Sequence, residues 1–226
     1  MKKIKKALTI HDIQNYSPKI LPFTGPWERL LGKPEQTGSW IIWGNSGNGK
    51  TRFAFQLAKY LCSFCRVAYN SLEEGLSLSI QDAIAQVGMT DGEVKRNFTL
   101  LDKESIADIE VRLRHRRAPH VVIIDSVQYT GMTYADYKRL RDNNRHTLFI
   151  FISHAGGKEP KGEVAKSIRY DANVKINVEG FKAMAQSRYG GGEEYVIWEL
   201  GVRRILNESN NKQLCQNSEI GSTKDS

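Results

Sequence analysis

The sequence predicts an α/β domain: a mostly parallel sheet flanked by helices, with an antiparallel meander at its C-terminal end. Five apolar, strand-like runs alternate with helix-like segments, the pattern of parallel strands joined by crossover helices. Those runs are continuously apolar rather than alternating, which suits strands covered on both faces. A length of 226 residues allows one such domain with a full core and excludes two large ones.

The first run is Trp40-Ile41-Ile42-Trp43 and the second Arg66-Val67-Ala68-Tyr69-Asn70. A weaker run covers Phe98 to Leu101, the fourth is Val121-Val122-Ile123-Ile124, and the fifth is Leu148-Phe149-Ile150-Phe151-Ile152. Between them, Lys50 to Leu61 carries Phe53, Leu57 and Leu61 at helical spacing, and Leu76 to Val87 does the same with Leu76, Ile80, Ile84 and Val87. A third helix turns Ile106, Ile109 and Leu113 inward and is expected to stop at Pro119. It leaves Arg112, Arg114, Arg116 and Arg117 for solvent, with nucleic-acid contact as the alternative. After the fifth run, a Gly/Lys loop from Gly156 to Gly162 leads into a short helix-like stretch. Three further runs, Val174 to Val178, Phe181 to Ala185 and Tyr195 to Leu200, read as the meander. The organisation expected is a basic extension (1–22), one domain (23–206) and a polar, disordered tail (207–226).

Composition is that of a soluble globular protein, 40% hydrophobic and 26% charged. The net charge of +8 suits an anionic partner such as nucleic acid, although the charge is scattered. The basic start Met1-Lys-Lys-Ile-Lys-Lys lacks the apolar run of a secretory signal, and no stretch approaches the ~18 apolar residues of a membrane span. A cytoplasmic location is expected. Cys62 and Cys65 form a CxxC without a second pair to complete a zinc site, so packing is their expected role.

Gly44-Asn45-Ser46-Gly47-Asn48-Gly49-Lys50-Thr51 fits the Walker A pattern GxxxxGK[ST] between an apolar run and a helix. Glycines let the backbone curl so that successive N–H groups meet phosphate oxygens at the positive end of a helix. Lys50 is then expected to reach the β- and γ-phosphates of ATP, and the Thr51 hydroxyl to ligate Mg²⁺. Asp125, closing the fourth run, is the expected carboxylate of the Mg²⁺ shell, acting through water. Glu73 and Glu74, at the end of the second run, are both candidates for a base that activates water. His154, ending the fifth, is placed to sense the γ-phosphate.

With these residues assembled, the chain resembles the RecA-like ATPase superfamily, in particular the branch of RadA, DnaB-type helicases and KaiC. The likeness runs from Phe23 to Gly201. It opens on Phe23-Thr24-Gly25-Pro26-Trp27-Glu28-Arg29-Leu30-Leu31-Gly32 and continues through the phosphate loop and Tyr69-Asn70-Ser71-Leu72-Glu73-Glu74. The family's first Glu in the latter motif activates water, which favours Glu73. Ile124-Asp125-Ser126-Val127-Gln128 is similar to the family's Walker B segment, and Phe151-Ile152-Ser153-His154 to its polar γ-phosphate sensor. The loop Gly156 to Gly162 matches in position the second DNA-binding loop of RecA-type recombinases and is much shorter; Lys158 and Lys161 are its candidate DNA contacts. Asp171 to Gly180 is similar to the strand after that loop in RadA. Gln186-Ser187-Arg188-Tyr189-Gly190 resembles a Lys-x-Arg-Phe-Gly motif that reaches a neighbour's nucleotide, with Arg188 at the arginine and Gln186 in place of the lysine.

The resemblance therefore implies an ATPase acting on DNA, single-stranded DNA foremost, in a ring or filament of identical subunits. The alternatives are a nucleotide-gated module for a protein partner, as in the KaiC branch, and a P-loop kinase of small molecules.

Overall fold

The computed structural model describes residues 7–90 and 92–207; the basic start and the polar tail from 208 onward lie outside the described residues. Among the described residues nine strands form the sheet: β1 (Gly38–Gly44), β2 (Val67–Ser71), β3 (Phe98–Asp102), β4 (Val121–Asp125), β5 (Leu148–Gly156), β6 (Glu159–Pro160), β7 (Val174–Glu179), β8 (Lys182–Ser187) and β9 (Tyr195–Val196). Their spatial order is β3-β2-β4-β5-β1-β7-β8-β9, with β6 paired to the end of β5. Strands β1 to β5 and β7 run parallel, and β8 and β9 return antiparallel at the β7 edge. This is the expected parallel sheet with a C-terminal meander.

The helices are α1 (Ile10–Gln14), α2 (Gly25–Leu31), α3 (Lys50–Leu61), α4 (Leu78–Val87), α5 (Gly92–Asn97), α6 (Ile106–Leu113), α7 (Tyr134–Asn143) and α8 (Glu163–Asp171). They cover both sheet faces. On one face Trp40, Ile42, Tyr69, Ile123 and Ile150 meet Phe53, Leu57 and Leu61 of α3. On the other, Ile41, Val122, Ile124, Phe149 and Phe151 meet Ile109 of α6, Tyr137 and Leu140 of α7, and Ile168 of α8. Successive side chains alternate between two apolar layers, which is why these strands read as unbroken apolar runs.

Several expectations are corrected. Helix α4 begins at Leu78, capped by the Ser77 hydroxyl, so Leu76 falls outside it and is exposed rather than core-facing. Helix α6 ends at Leu113, short of Pro119, and the chain leaves through turns. The run expected as a strand over Tyr195 to Leu200 pairs only at Tyr195–Val196, and residues 199–207 are helical. The Gly/Lys loop is a tight hairpin, with Ala155 opposite Pro160 and Gly156 opposite Glu159. Cys62 and Cys65 are buried free thiols, in line with packing. No helix among the described residues is long and apolar enough to cross a membrane.

Candidate functional site

Register brings the site together. Ser71, Asp125, Ile152 and Ile42 share one row across β2, β4, β5 and β1. Glu73, His154 and Gly44 each stand two residues beyond that row, at the carboxyl ends of their strands. In parallel α/β sheets this is the end where ligands bind.

There a cleft of about 600 Å³ is lined by the phosphate-loop residues Ser46, Gly47, Gly49, Lys50 and Thr51, and by Glu73, Asp125 and His154. Two glycines are demanded by geometry. A Cβ on Gly44 would collide with the Val178 carbonyl, and Gly49, which caps α3, has φ +94° with Phe181 2.9 Å from where a Cβ would be. The loop is pinned from outside as well: the Gly180 N–H donates to Asn48 Oδ1 at 2.7 Å.

Charge is concentrated in this cleft. Lys50 Nζ donates to the Asn45 carbonyl at 2.9 Å; burial lowers its pKa, opposed by the Asp125 and Glu73 carboxylates. Burial pushes the Asp125 carboxyl up to about 6, against the pull of a hydrogen bond from the Tyr69 hydroxyl. The Tyr69 hydroxyl is held well above its ordinary range by burial and by Asp125. The Asp125–Ser126 peptide is cis.

The two glutamates separate. Glu74 accepts from the Ser77 hydroxyl at 3.2 Å and from the Ser79 hydroxyl, at the start of α4. Glu73 turns to the opposite side: His154 Nε2 lies 3.0 Å from its Oε2, and the Ser126 hydroxyl is 3.5 Å away. The candidate sensor and the candidate base are thus in contact.

Other site residues carried no sequence signal. Gln128 donates from Nε2 to Ser153 Oγ at 2.9 Å and to the Lys161 carbonyl at 2.8 Å, and its Oε1 accepts from the His154 N–H at 3.3 Å. It ties the strand behind Asp125 to the β5–β6 hairpin. That hairpin is also held by Trp43 Nε1 donating to the Lys158 carbonyl at 3.1 Å and by an Arg169–Glu159 ion pair at 3.0 Å. The Lys158 and Lys161 side chains remain exposed. Phe181 and Trp198 close the outer wall of the cleft, ring edge to ring face, with the Arg52 guanidinium 5.1 Å from the Trp198 ring centre. Aromatic residues in a meander are ordinary, so only the packing of the β7–β8 turn against the phosphate loop exposes this wall.

Arg188 does not join the cleft of its own subunit. Its backbone N–H donates to the Asn173 carbonyl, and the Asn173 N–H donates in turn to the Ser39 carbonyl at the start of β1. Five residues of strand, roughly 16 Å, separate that level from Gly44. The side chain is exposed.

No protein-family model matches the sequence, and neither does any curated protein. Solved structures do match. The flagellar accessory protein FlaH from Methanocaldococcus jannaschii superposes with a TM-score of 0.53 at 18% identity, over 80% of this chain and 92% of that one. The ATPase domain of a helicase superposes with a TM-score of 0.56 at 16% identity, over 81% of this chain and 90% of that one. With a phosphate loop after β1, acidic residues ending β2 and β4, and an antiparallel ribbon beyond β7, the chain has the fold of the RecA-like P-loop ATPases.

Proposed function

We propose that this chain is a Mg²⁺-dependent RecA-like ATPase that acts on DNA, in recombination, repair or replication. One observation carries the reading: Lys50, Thr51, Asp125, Glu73 and His154, from four separate segments, line one cleft under the phosphate loop. The backbone N–H groups at the start of α3 and the Lys50 ammonium bind and orient the triphosphate. Thr51 and Asp125 offer the oxygen donors that suit Mg²⁺, which supplies neutralisation of phosphate charge when bound. Glu73 takes the proton of the attacking water, held in place by His154. Phe181, Trp198 and Arg52 form a flat, cationic wall suited to the nucleotide base.

Two features support action on a partner. Gln128 links His154 to the Lys161 carbonyl, so a change at the γ-phosphate reaches the exposed lysines of the hairpin through two hydrogen bonds. Arg188 faces away from its own cleft, a placement useful only to a neighbouring copy. None of α1 is buried, and Leu8, Ile10, Ile13 and Tyr16 form an exposed apolar arm that a second copy would cover.

The test is ATP hydrolysis measured with and without single-stranded oligonucleotides. Stimulation by the oligonucleotide, reduced in a Lys158→Ala/Lys161→Ala variant, is expected. Hydrolysis indifferent to DNA, with no salt-sensitive binding, removes the DNA part of the reading and favours the partner-gated module.

A further inference from the structure

The opposite end of the sheet carries a second charged surface. Phe98, Val67 and Val121 form the first row of β3, β2 and β4. Immediately before that row, Arg66, Arg96, Arg112 and Arg117 line a cavity of about 80 Å³ closed by Pro119. They come from four segments: the approach to β2, α5, α6 and the turns before β4. Arg114 and Arg116 stand exposed on the same turns. Burial lowers the His120 pKa, and the neighbouring Arg66 and Lys19 lower it further, as a positive field requires.

Two of the four lining arginines are fixed. Arg66 donates from Nε and NH2 to the Ala118 carbonyl at 3.0 and 2.9 Å. Arg112 pairs with Glu104, the carboxylate it meets with two nitrogens. Arg96 and Arg117 are exposed, and among the described residues no carboxylate lies within ion-pair reach of either. Fixed guanidinium groups at the back and free ones at the rim make a socket for an anion, not a self-neutralised network.

We propose that this surface binds the phosphate backbone of a nucleic acid, with one phosphate seated among Arg66, Arg96, Arg112 and Arg117 and the next ones along Arg114 and Arg116. Guanidinium forks match phosphate oxygens in pairs, which a lysine cannot do. The volume admits one tetrahedral group, and the flanking arginines provide for a chain of them. A membrane surface is a poorer match, because Val111 is the single large apolar side chain exposed on the adjoining helix α6. The socket lies at the end of the sheet away from the phosphate loop, so its occupancy does not depend on the ATPase reading.

The experiment is titration of fluorescent single- and double-stranded oligonucleotides with the full chain over a salt series, without nucleotide. An Arg96→Ala/Arg117→Ala variant is expected to bind at least about tenfold more weakly. Its slope of log affinity against log salt should fall by about 1.4–1.8, one contact's worth per arginine. Arg96→Lys/Arg117→Lys should restore the slope, and circular dichroism should match the parent. An alanine variant that keeps both affinity and slope overturns the proposal. So does binding to phosphatidylserine vesicles, lost in the variant, with no oligonucleotide binding by the parent.

Discussion

The two ends of the parallel sheet use charge in opposite ways. At the carboxyl ends of the strands, Lys50, Glu73, Asp125 and His154 sit within one cleft, partly or wholly withdrawn from water, and each answers another. At the amino ends, arginines outnumber their acceptors and the rim ones are open to solvent. The first arrangement shifts pKa values and fixes geometry, as chemistry needs. The second leaves charge unneutralised, as electrostatic attraction to a polyanion needs. One β-sheet thereby separates a reactive end from an adhesive one.

The largest effect expected is at the reactive end. Glu73→Gln should lower the rate of ATP hydrolysis by about 10²–10⁴-fold while nucleotide affinity stays near the parent's. Normal turnover in this variant would return the base to Glu74, whose bonds to Ser77 and Ser79 argue against it. Lys50→Ala should weaken nucleotide binding roughly ten- to hundredfold, the worth of about 1.5–3 kcal/mol for a charged hydrogen bond, and leave oligonucleotide affinity at the far end unchanged. Loss of both would show that the two ends are not independent.

A third prediction concerns stability. The folded Asp125 carboxyl is pushed up to about 6 from 3.8, so the folded state holds that proton more tightly than the unfolded one. Stability of the metal-free protein must then fall as pH rises from about 4 through 6, by about 3 kcal/mol in all. Asp125→Asn, measured by thermal melting in EDTA, should abolish that loss and raise Tm at pH 8. An unchanged or lower Tm would mean that Asp125 is satisfied within the protein alone. The smallest effect tests how far the arginine field reaches inward. Burial pushes the Cys62 thiol up to about 12 and Cys65 up to about 11, with Lys19 and Arg66 pulling Cys65 back. Neither thiol should react with a disulfide reagent at pH 8 until the protein unfolds. Fast native-state reaction of Cys65 would show the field outweighing burial.

The same contrast explains what the sequence could disclose. The reactive end announces itself in contiguous or strand-terminal residues: eight consecutive positions of the phosphate loop, and carboxylates placed where apolar runs stop. The parallel strands were legible because Val121 to Ile124 or Leu148 to Ile152 can be buried only between two covering layers. Helix α7 was not, because just Tyr137 and Leu140 of its ten residues are buried and the rest is polar. Leu76 read as core because helical spacing cannot tell a residue just before the Ser77 cap from one inside the helix. Gln128, Phe181 and Trp198 lie far apart in sequence and acquire roles only through tertiary contact. The arginine socket was half visible: Arg112 and Arg117 read as a solvated helix end, and the pairing of β2 with β3 and β4 is what adds Arg66 and Arg96.

The central claim is that the cleft under Gly44–Thr51 takes up ATP with magnesium. Isothermal calorimetry on the folded protein, titrated with a non-hydrolysable ATP analogue in Mg²⁺ and again in EDTA, measures it directly. Saturable binding at one site per chain, weakened in EDTA and in Lys50→Ala, is the predicted result. No binding heat and no thermal shift from well-folded protein in either condition would contradict the account.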